Sequence, residues 1–201
     1  MVASSCETLD PRIRRTRLLL QQALEKLLET KEFEKISVQD IADEATVNRA
    51  TFYDHYNDKS ALLVSMVGCR FHQLISERQV QFDGTCGSEL KAMVLAVAEY
   101  LTRMQGPEGK REIEPHIESA MIAVVRYILM EGLRKHPRSD GVSPELTAAT
   151  ASWAIYGAVK EWANIPERSP ADEMAVTVMR MVSPILQVPI HEAPNPALLN
   201  S

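Results

Sequence analysis

The chain has 201 residues, of which 45% are hydrophobic and 24% are charged. This composition is typical of a globular protein with a sizeable core, so it argues against a disordered or membrane-embedded chain. The 22 basic and 27 acidic residues give a formal net charge of −5. That charge argues against a protein that coats nucleic acid over its whole surface, but it permits a local basic face.

Cysteine spacing and apolar run lengths predict a cytoplasmic protein without a membrane span. Cys6, Cys69 and Cys86 are widely spaced, and no C-x-x-C pair suggests zinc or a redox site. The long uncharged stretch 146–159 is shorter than the roughly 18 apolar residues that cross a bilayer. The N-terminal residues 1–8 lack the basic start and the apolar core of a secretory signal.

Apolar residues recur at spacings of three and four, and Asn-Gly or Asp-Gly hairpin turns are absent, which predicts an all-α fold. Asp10 as N-cap and Pro11 at the first helical position predict the start of the first helix. We expect this helix to end near Thr30 or Lys31.

Two short helices follow. Ser37 and Asp40 form an approximate capping box at the start of the second helix, which we expect to stop by Ala45. After a link of three residues, Asn48 caps a third helix that runs through Tyr56. Three small helices therefore occupy the first part of the chain.

Longer helices are predicted beyond residue 57. They cover about 58–81, 88–104 and 115–135, and two more start at Ser143-Pro144 and Ser169-Pro170, each with a serine cap. Pro184 should kink or end the last helix. We expect residues 189–201 to form a disordered tail.

The last two helices carry apolar residues on more than one side, so one face can pack on the body and another on a second copy. The alternative is burial of both helices inside one monomer. The stripe that we assign to a homodimer interface comprises Ala151, Ile155, Ala158, Trp162, Met174, Val178, Met181 and Ile185.

A short helix, a three-residue link and a second short helix are typical of a helix-turn-helix. In that motif the second helix lies in the DNA major groove. Arg49, near the N-terminus of the third helix, can donate two hydrogen bonds to a guanine. The pattern thus indicates binding to double-stranded DNA.

The match becomes specific over residues 19–63, which resemble the DNA-binding region of the tetracycline-repressor (TetR) family. The run 51–59, TFYDHYNDK, resembles the family pattern T-[LF]-Y-x-H-[FY]-x-x-K, and SVQDIA at 37–42 lies at the matching spacing upstream. We therefore expect a helix-turn-helix DNA-binding domain over 1–57. A helical effector-binding and dimerisation domain would follow over 58–188.

The resemblance implies which side chains approach DNA. They are Ser37, Gln39, Asn48, Arg49, Ala50, Thr51, Tyr53, His55, Tyr56 and Lys59. His55 and Tyr56 would partly support the fold and partly touch the DNA backbone, and Lys59 would meet a phosphate. Arg12, Arg14, Arg15 and Arg17 would either add phosphate contacts or form a solvated arm.

Two residues depart from the family pattern. Thr46 stands where the family usually has glycine, and a β-branched residue at positive φ is strained by about 1–2 kcal/mol. A slightly reshaped turn is therefore expected. Asp54 places a carboxylate in the third helix, where it repels phosphate unless it faces a cytosine or points away.

Soft apolar residues in the middle helices suggest a pocket for a small hydrophobic effector, although core packing explains each residue as well. The candidate pocket residues are Met66, His72, Met93, Val97, Tyr100, Met104, His116, Met121, Val124, Tyr127 and Trp153.

Catalytic motifs and a glycine-rich phosphate loop are absent, so we predict neither an enzyme nor a cofactor. His116 and its acidic neighbours could bind a metal, but a solvated helix start explains them better. The predicted function is that of a homodimeric repressor, released from a near-palindromic operator by its effector. The alternative is a TetR-fold regulator that acts mainly through a protein partner.

Overall fold

The computed structural model describes residues 10–104, 114–136 and 141–189, with the side chains of residues 104 and 114 excepted. Within these ranges the chain forms helices and no strand, which confirms the all-α prediction. The helices are α1 Pro11–Leu28, α2 Val38–Glu44, α3 Arg49–His55, α4 Lys59–Glu77, α5 Gly87–Met104, α6 Glu114–Lys135, α7 Pro144–Asn164 and α8 Ala171–Leu186.

A single turn of 3-10 helix, Phe33–Lys35, lies between α1 and α2. Among the described helices, none is both long and apolar enough to cross a membrane. Most of the tail predicted at 189–201, together with Cys6 and the Met104 side chain, lies outside the described residues.

The chain divides into two compact units. The first comprises residues 1–74 and 103–124, and the second comprises 75–102 and 125–201. Leu24, Ile41 and Phe52 are fully buried in the first unit. The boundary that we predict at residue 57 separates a DNA-binding region from an effector-binding region, and it stays a prediction.

Local caps start the first two helices as predicted. Asp10 Oδ1 accepts a hydrogen bond from Arg12 N at 2.8 Å, with Pro11 at the first helical position. At α2, Ser37 Oγ accepts from Asp40 N at 3.1 Å, and Asp40 Oδ2 accepts from Ser37 N at 2.8 Å. These two bonds complete the predicted capping box.

The turn between α2 and α3 keeps the left-handed conformation that glycine usually adopts. Thr46 has φ of 55°. Val47 N donates to Ala42 O at 2.9 Å, and Thr46 N donates to Asp43 O at 3.1 Å. These are the two bonds of a Schellman motif, so the expected reshaping of the turn is not observed and Thr46 carries the strain.

We predict that Thr46→Gly raises the free energy of unfolding by about 1 kcal/mol. The change relieves about 1–2 kcal/mol of strain but costs about 0.5–1 kcal/mol of added chain entropy. Chemical denaturation followed by circular dichroism measures the difference. The control is Thr177→Gly within α8, which should destabilise. A lower stability for Thr46→Gly would contradict this account of the turn.

The start of α8 differs from the prediction. Pro170, not Ser169, is the N-cap residue, and it makes no side-chain capping bond. Ser169 contributes its carbonyl oxygen, which accepts from Trp162 Nε1 at 2.9 Å. At the other end, Pro184 lies within the last turn, and α8 ends two residues later at Leu186.

The stripe that we assigned to a homodimer interface faces largely inward. Ala151, Ile155, Trp162, Met174 and Val178 are buried within the chain. A second copy cannot contact side chains that the chain's own packing covers. Ala158 and Ile185 are half-buried, and Met181 is 56% exposed. Met181, with the half-buried Ala158 and Ile185, is the part of the stripe that a second copy can reach, and the interface itself stays a prediction.

Candidate nucleic-acid interface

The inner sides of α2 and α3 anchor the helix-turn-helix in the first unit. Ile41 and Ala42 on α2 and Phe52 on α3 are fully buried. This packing leaves Arg49, Ala50 and Tyr53 on the outside of α3, while Thr51 is half-buried. The outer face of the second helix is thus open to a partner, as the motif requires.

Arg49 and Tyr53 form a pair on that outer face. Arg49 Nη2 donates to Tyr53 Oη at 3.3 Å, and the guanidinium carbon lies 5.6 Å from the centre of the Tyr53 ring. The Tyr53 ring, 46% exposed, stands edge-on to buried Phe52 with 5.5 Å between centroids. Because a guanidinium carries five N–H donors, Arg49 can still donate a pair of hydrogen bonds to a guanine edge.

The polar residues at the helix starts are committed to local bonds. Asn48 Oδ1 accepts from Ala50 N at 2.9 Å, which leaves the amide N–H donors of Asn48 for other partners. Gln39 Nε2 donates to Asp43 Oδ1 at 2.7 Å. The DNA contacts predicted for Asn48 and Gln39 stay predictions.

Ser37 is more fully engaged. Its hydroxyl accepts from Asp40 N and donates to Asp40 Oδ2 at 2.6 Å. The hydrogen bonds from Ser37 and from Lys31 hold the pKa of the Asp40 carboxyl well below its usual range. A DNA contact from the Ser37 hydroxyl would compete with the capping box.

His55 lies in surroundings that favour the neutral form of its imidazole. Partial burial, and then the charge of Arg17, lower the pKa of the imidazole below its usual value. A lowered pKa disfavours the cationic imidazole, whereas the neutral ring can still donate one N–H hydrogen bond to a phosphate. The backbone contact predicted for His55 stays a prediction.

Tyr56 supports the fold. The side chain is buried, and its hydroxyl lies 3.3 Å from Ser65 Oγ and 3.5 Å from Gln21 Nε2. Burial raises the pKa of this phenol. Of the two roles expected for Tyr56, these contacts account for support of the fold. A contact with the DNA backbone would require the hydroxyl to leave Ser65 and Gln21.

The Lys59 ammonium, predicted to meet a phosphate, instead binds the protein's own backbone. Lys59 Nζ donates to the carbonyl oxygens of Phe33, Glu34 and Ile36 at 2.9, 3.0 and 3.0 Å. Nζ also lies 4.7 Å from the centre of the Phe33 ring. An ammonium has three donors, and these carbonyl oxygens use all of them.

The arginines of α1 divide into two groups. Arg12, Arg14 and Arg15 are exposed on the first turns of the helix, where they remain available for phosphate contacts. Arg17 is half-buried, with its guanidinium carbon 5.6 Å from the centre of the Tyr56 ring. Asp54 is exposed on α3.

The residues predicted to line an effector pocket differ in exposure. Met66, Met121 and Val124 are buried in the first unit, and Met93, Val97 and Tyr100 are buried in the second. His72 and His116 are half-buried, whereas Tyr127 and Trp153 are exposed. The pocket stays a prediction.

Sequence reasoning missed the surroundings of Phe33. This residue was assigned no role, yet its buried ring contacts both Lys59 and His116. The capping pattern of α2 marks only Ser37 and Asp40. No sequence spacing connects Phe33 with residues so far along the chain.

A capped short helix, a tight turn and a second helix with an exposed Arg-Tyr pair define a helix-turn-helix protein of the DNA-binding class. The comparisons agree, since residues 20–66 match the family model "Bacterial regulatory proteins, tetR family". Residues 20–66 thus carry the DNA-binding region of the TetR family, and the family model covers this part of the chain.

Two curated relatives match this N-terminal region. The HTH-type transcriptional regulator YxbF of Bacillus subtilis (strain 168) is 43% identical over 60 residues, which is 29% of this chain and 16% of that protein. The HTH-type transcriptional regulator EthR of Mycolicibacterium smegmatis is 46% identical over 43 residues, which is 21% of this chain and 20% of that protein. The similarity thus spans about a fifth or less of each relative.

Solved structures extend the likeness to the whole fold. Thermus thermophilus FadR, a TetR-family repressor in complex with lauroyl-CoA, has a TM-score of 0.54 and 19% identity over 90% of this chain and 98% of that one. The TetR-family repressor AlkX from Dietzia has a TM-score of 0.54 and 21% identity over 85% of this chain and 97% of that one. At these identities the likeness establishes the fold alone.

Proposed function

We propose that the protein is a sequence-specific transcriptional repressor that a small hydrophobic effector releases from its operator. The observation that carries the DNA-binding part is the exposed Arg49–Tyr53 pair on the second helix of the helix-turn-helix. A side chain with several N–H donors, held in one geometry on that helix, is suited to reading base edges.

The proposed effector carries a long apolar chain. Buried methionine and aliphatic side chains line the middle helices of both units, and such side chains adapt to flexible apolar ligands. FadR of Thermus thermophilus, which shares the fold, is described in complex with lauroyl-CoA. Lauroyl-CoA is therefore the first probe to test as an effector.

The proposed homodimer forms through exposed apolar residues of α7 and α8. Trp153 and Met181 are 58% and 56% exposed. The two helices form a hairpin, and these residues lie at similar distances along the chain from its connection at 165–170. A two-fold dimer would present two copies of α3 to half-sites about 34–36 Å, or a multiple of that distance, apart.

We predict that Trp153→Glu weakens self-association at least about tenfold, because it places a charge in an apolar contact. Sedimentation velocity over a range of protein concentrations measures the change. The matched control is Ile165→Glu, which alters a residue that is also about half exposed but lies in the connection between α7 and α8. An unchanged dimer in Trp153→Glu would exclude this face.

Fluorescence anisotropy with DNA that flanks the protein's own gene tests the proposed function. We expect tight binding that scrambled competitor DNA does not displace across roughly 50–200 mM salt, and release on addition of lauroyl-CoA. Equal, salt-sensitive binding to native and random DNA, with no site recovered by selection from random sequences, would contradict the proposal. Specific binding without release would contradict only the choice of effector.

A further inference from the structure

The ring of Phe33 lies at a junction of three segments in the first unit. Phe33 belongs to the 3-10 turn before α2 and is 2% exposed. Lys59, the first residue of α4, holds its ammonium 4.7 Å from the ring centre. The ring of His116, in the first turn of α6, meets Phe33 edge-on at 61° with 5.6 Å between centroids.

This junction controls the backbone that leads into the helix-turn-helix. Lys59 Nζ binds the carbonyl oxygens of Phe33, Glu34 and Ile36, and the Ile36 side chain is 1% exposed. The next residue, Ser37, is the N-cap of α2. The position of residues 33–36 therefore sets where α2 begins.

We propose that His116 is a positioning residue for the helix-turn-helix and that it acts through Phe33. The imidazole makes an edge-to-face contact with Phe33 and limits the movement of residues 33–36, which keeps α2, and with it α3, in one orientation. A displacement of the first turn of α6 releases this restraint.

The consequence for operator binding rests on the function proposed above, whereas the restraint itself does not. An edge-to-face aromatic contact is a modest interaction. Its loss should therefore loosen α2 without unfolding the unit. The proposal can therefore be tested by measuring the local flexibility of α2 and the overall stability in the same variant.

The experiment compares His116→Ala with wild type in the full chain by amide hydrogen exchange. We expect exchange at residues 37–45 to increase about three- to tenfold, with a melting temperature within a few degrees of wild type. His116→Phe, which restores an aromatic edge, should return exchange to the wild-type rate. Ser119→Ala, an exposed position on the same helix, is the control and should change nothing.

Unchanged exchange at residues 37–45 in His116→Ala, or failure of His116→Phe to restore it, would overturn the proposal. If His116→Ala does not fold, His116→Leu removes the aromatic edge at similar volume and gives the same test. Operator affinity, measured in parallel, should fall about three- to tenfold in His116→Ala. Absence of specific DNA binding in wild type would count against the proposed function and leave the exchange result to test the restraint.

Discussion

Replacing Lys59 with methionine is expected to lower the free energy of unfolding by about 2–3 kcal/mol. The ammonium donates three hydrogen bonds to backbone carbonyl oxygens, and its side chain is only 22% exposed. Methionine keeps most of the volume but leaves these oxygens without their donor, and hydrogen bonds to charged groups are worth about 1.5–3 kcal/mol each. Because the three bonds share one charge, their contributions do not add.

Thermal unfolding measures this effect as a fall in melting temperature of roughly 4–12 °C, given about 2–4 °C per kcal/mol for a chain of this size. Lys35→Met provides the matched control, since the Lys35 side chain is 70% exposed and pairs with Glu32 on the surface. Surface pairs of this kind contribute little to stability. Equal losses of melting temperature in the two variants would show that the carbonyl contacts of Lys59 stabilise the protein no more than a surface ion pair does.

Arg49→Ala and Tyr53→Ala are each expected to weaken specific operator binding by roughly 10- to 100-fold. A bidentate contact to a base discriminates by about 1–3 kcal/mol. Tyr53 orients the guanidinium through its hydroxyl and ring, so its loss frees Arg49 to adopt unproductive rotamers. Anisotropy titrations against the operator and against random DNA separate specific from nonspecific binding.

Tyr53→Phe separates the roles of ring and hydroxyl, and we expect it to retain more affinity than Tyr53→Ala. Arg126→Ala removes an exposed arginine from α6 and should leave affinity unchanged. The melting temperature should fall by only a few degrees in either α3 variant, because both side chains lie on the exposed face. Wild-type operator affinity in both Arg49→Ala and Tyr53→Ala would contradict the assignment of α3 as the recognition helix.

Neighbouring residues decide the features that were predictable from sequence. Asp10 with Pro11, the capping box of Ser37 with Asp40, and Asn48 at the start of α3 all form bonds within three residues. The turn at Thr46 is an exception, since we expected a reshaped turn and the residue keeps the left-handed conformation of a helix C-terminus. Such local chemistry, together with the helical spacing of apolar residues, sufficed to predict the helix-turn-helix.

Packing between distant segments decided the features that the sequence did not predict. Both α7 and α8 carry apolar residues on more than one side, so periodicity alone could not say which face the chain buries. The buried face includes Ala151 and Ile155. Lys59 and Tyr56 carry polar groups that suit a phosphate, yet nearby backbone carbonyls and side chains satisfy these groups first. The contact of His116 with Phe33 exists because the fold brings α6 beside the 3-10 turn. The sequence by itself determined the helices and most of their caps, with the start of α8 as an exception. Only the tertiary structure decided which polar and apolar groups are buried or hydrogen-bonded within the protein.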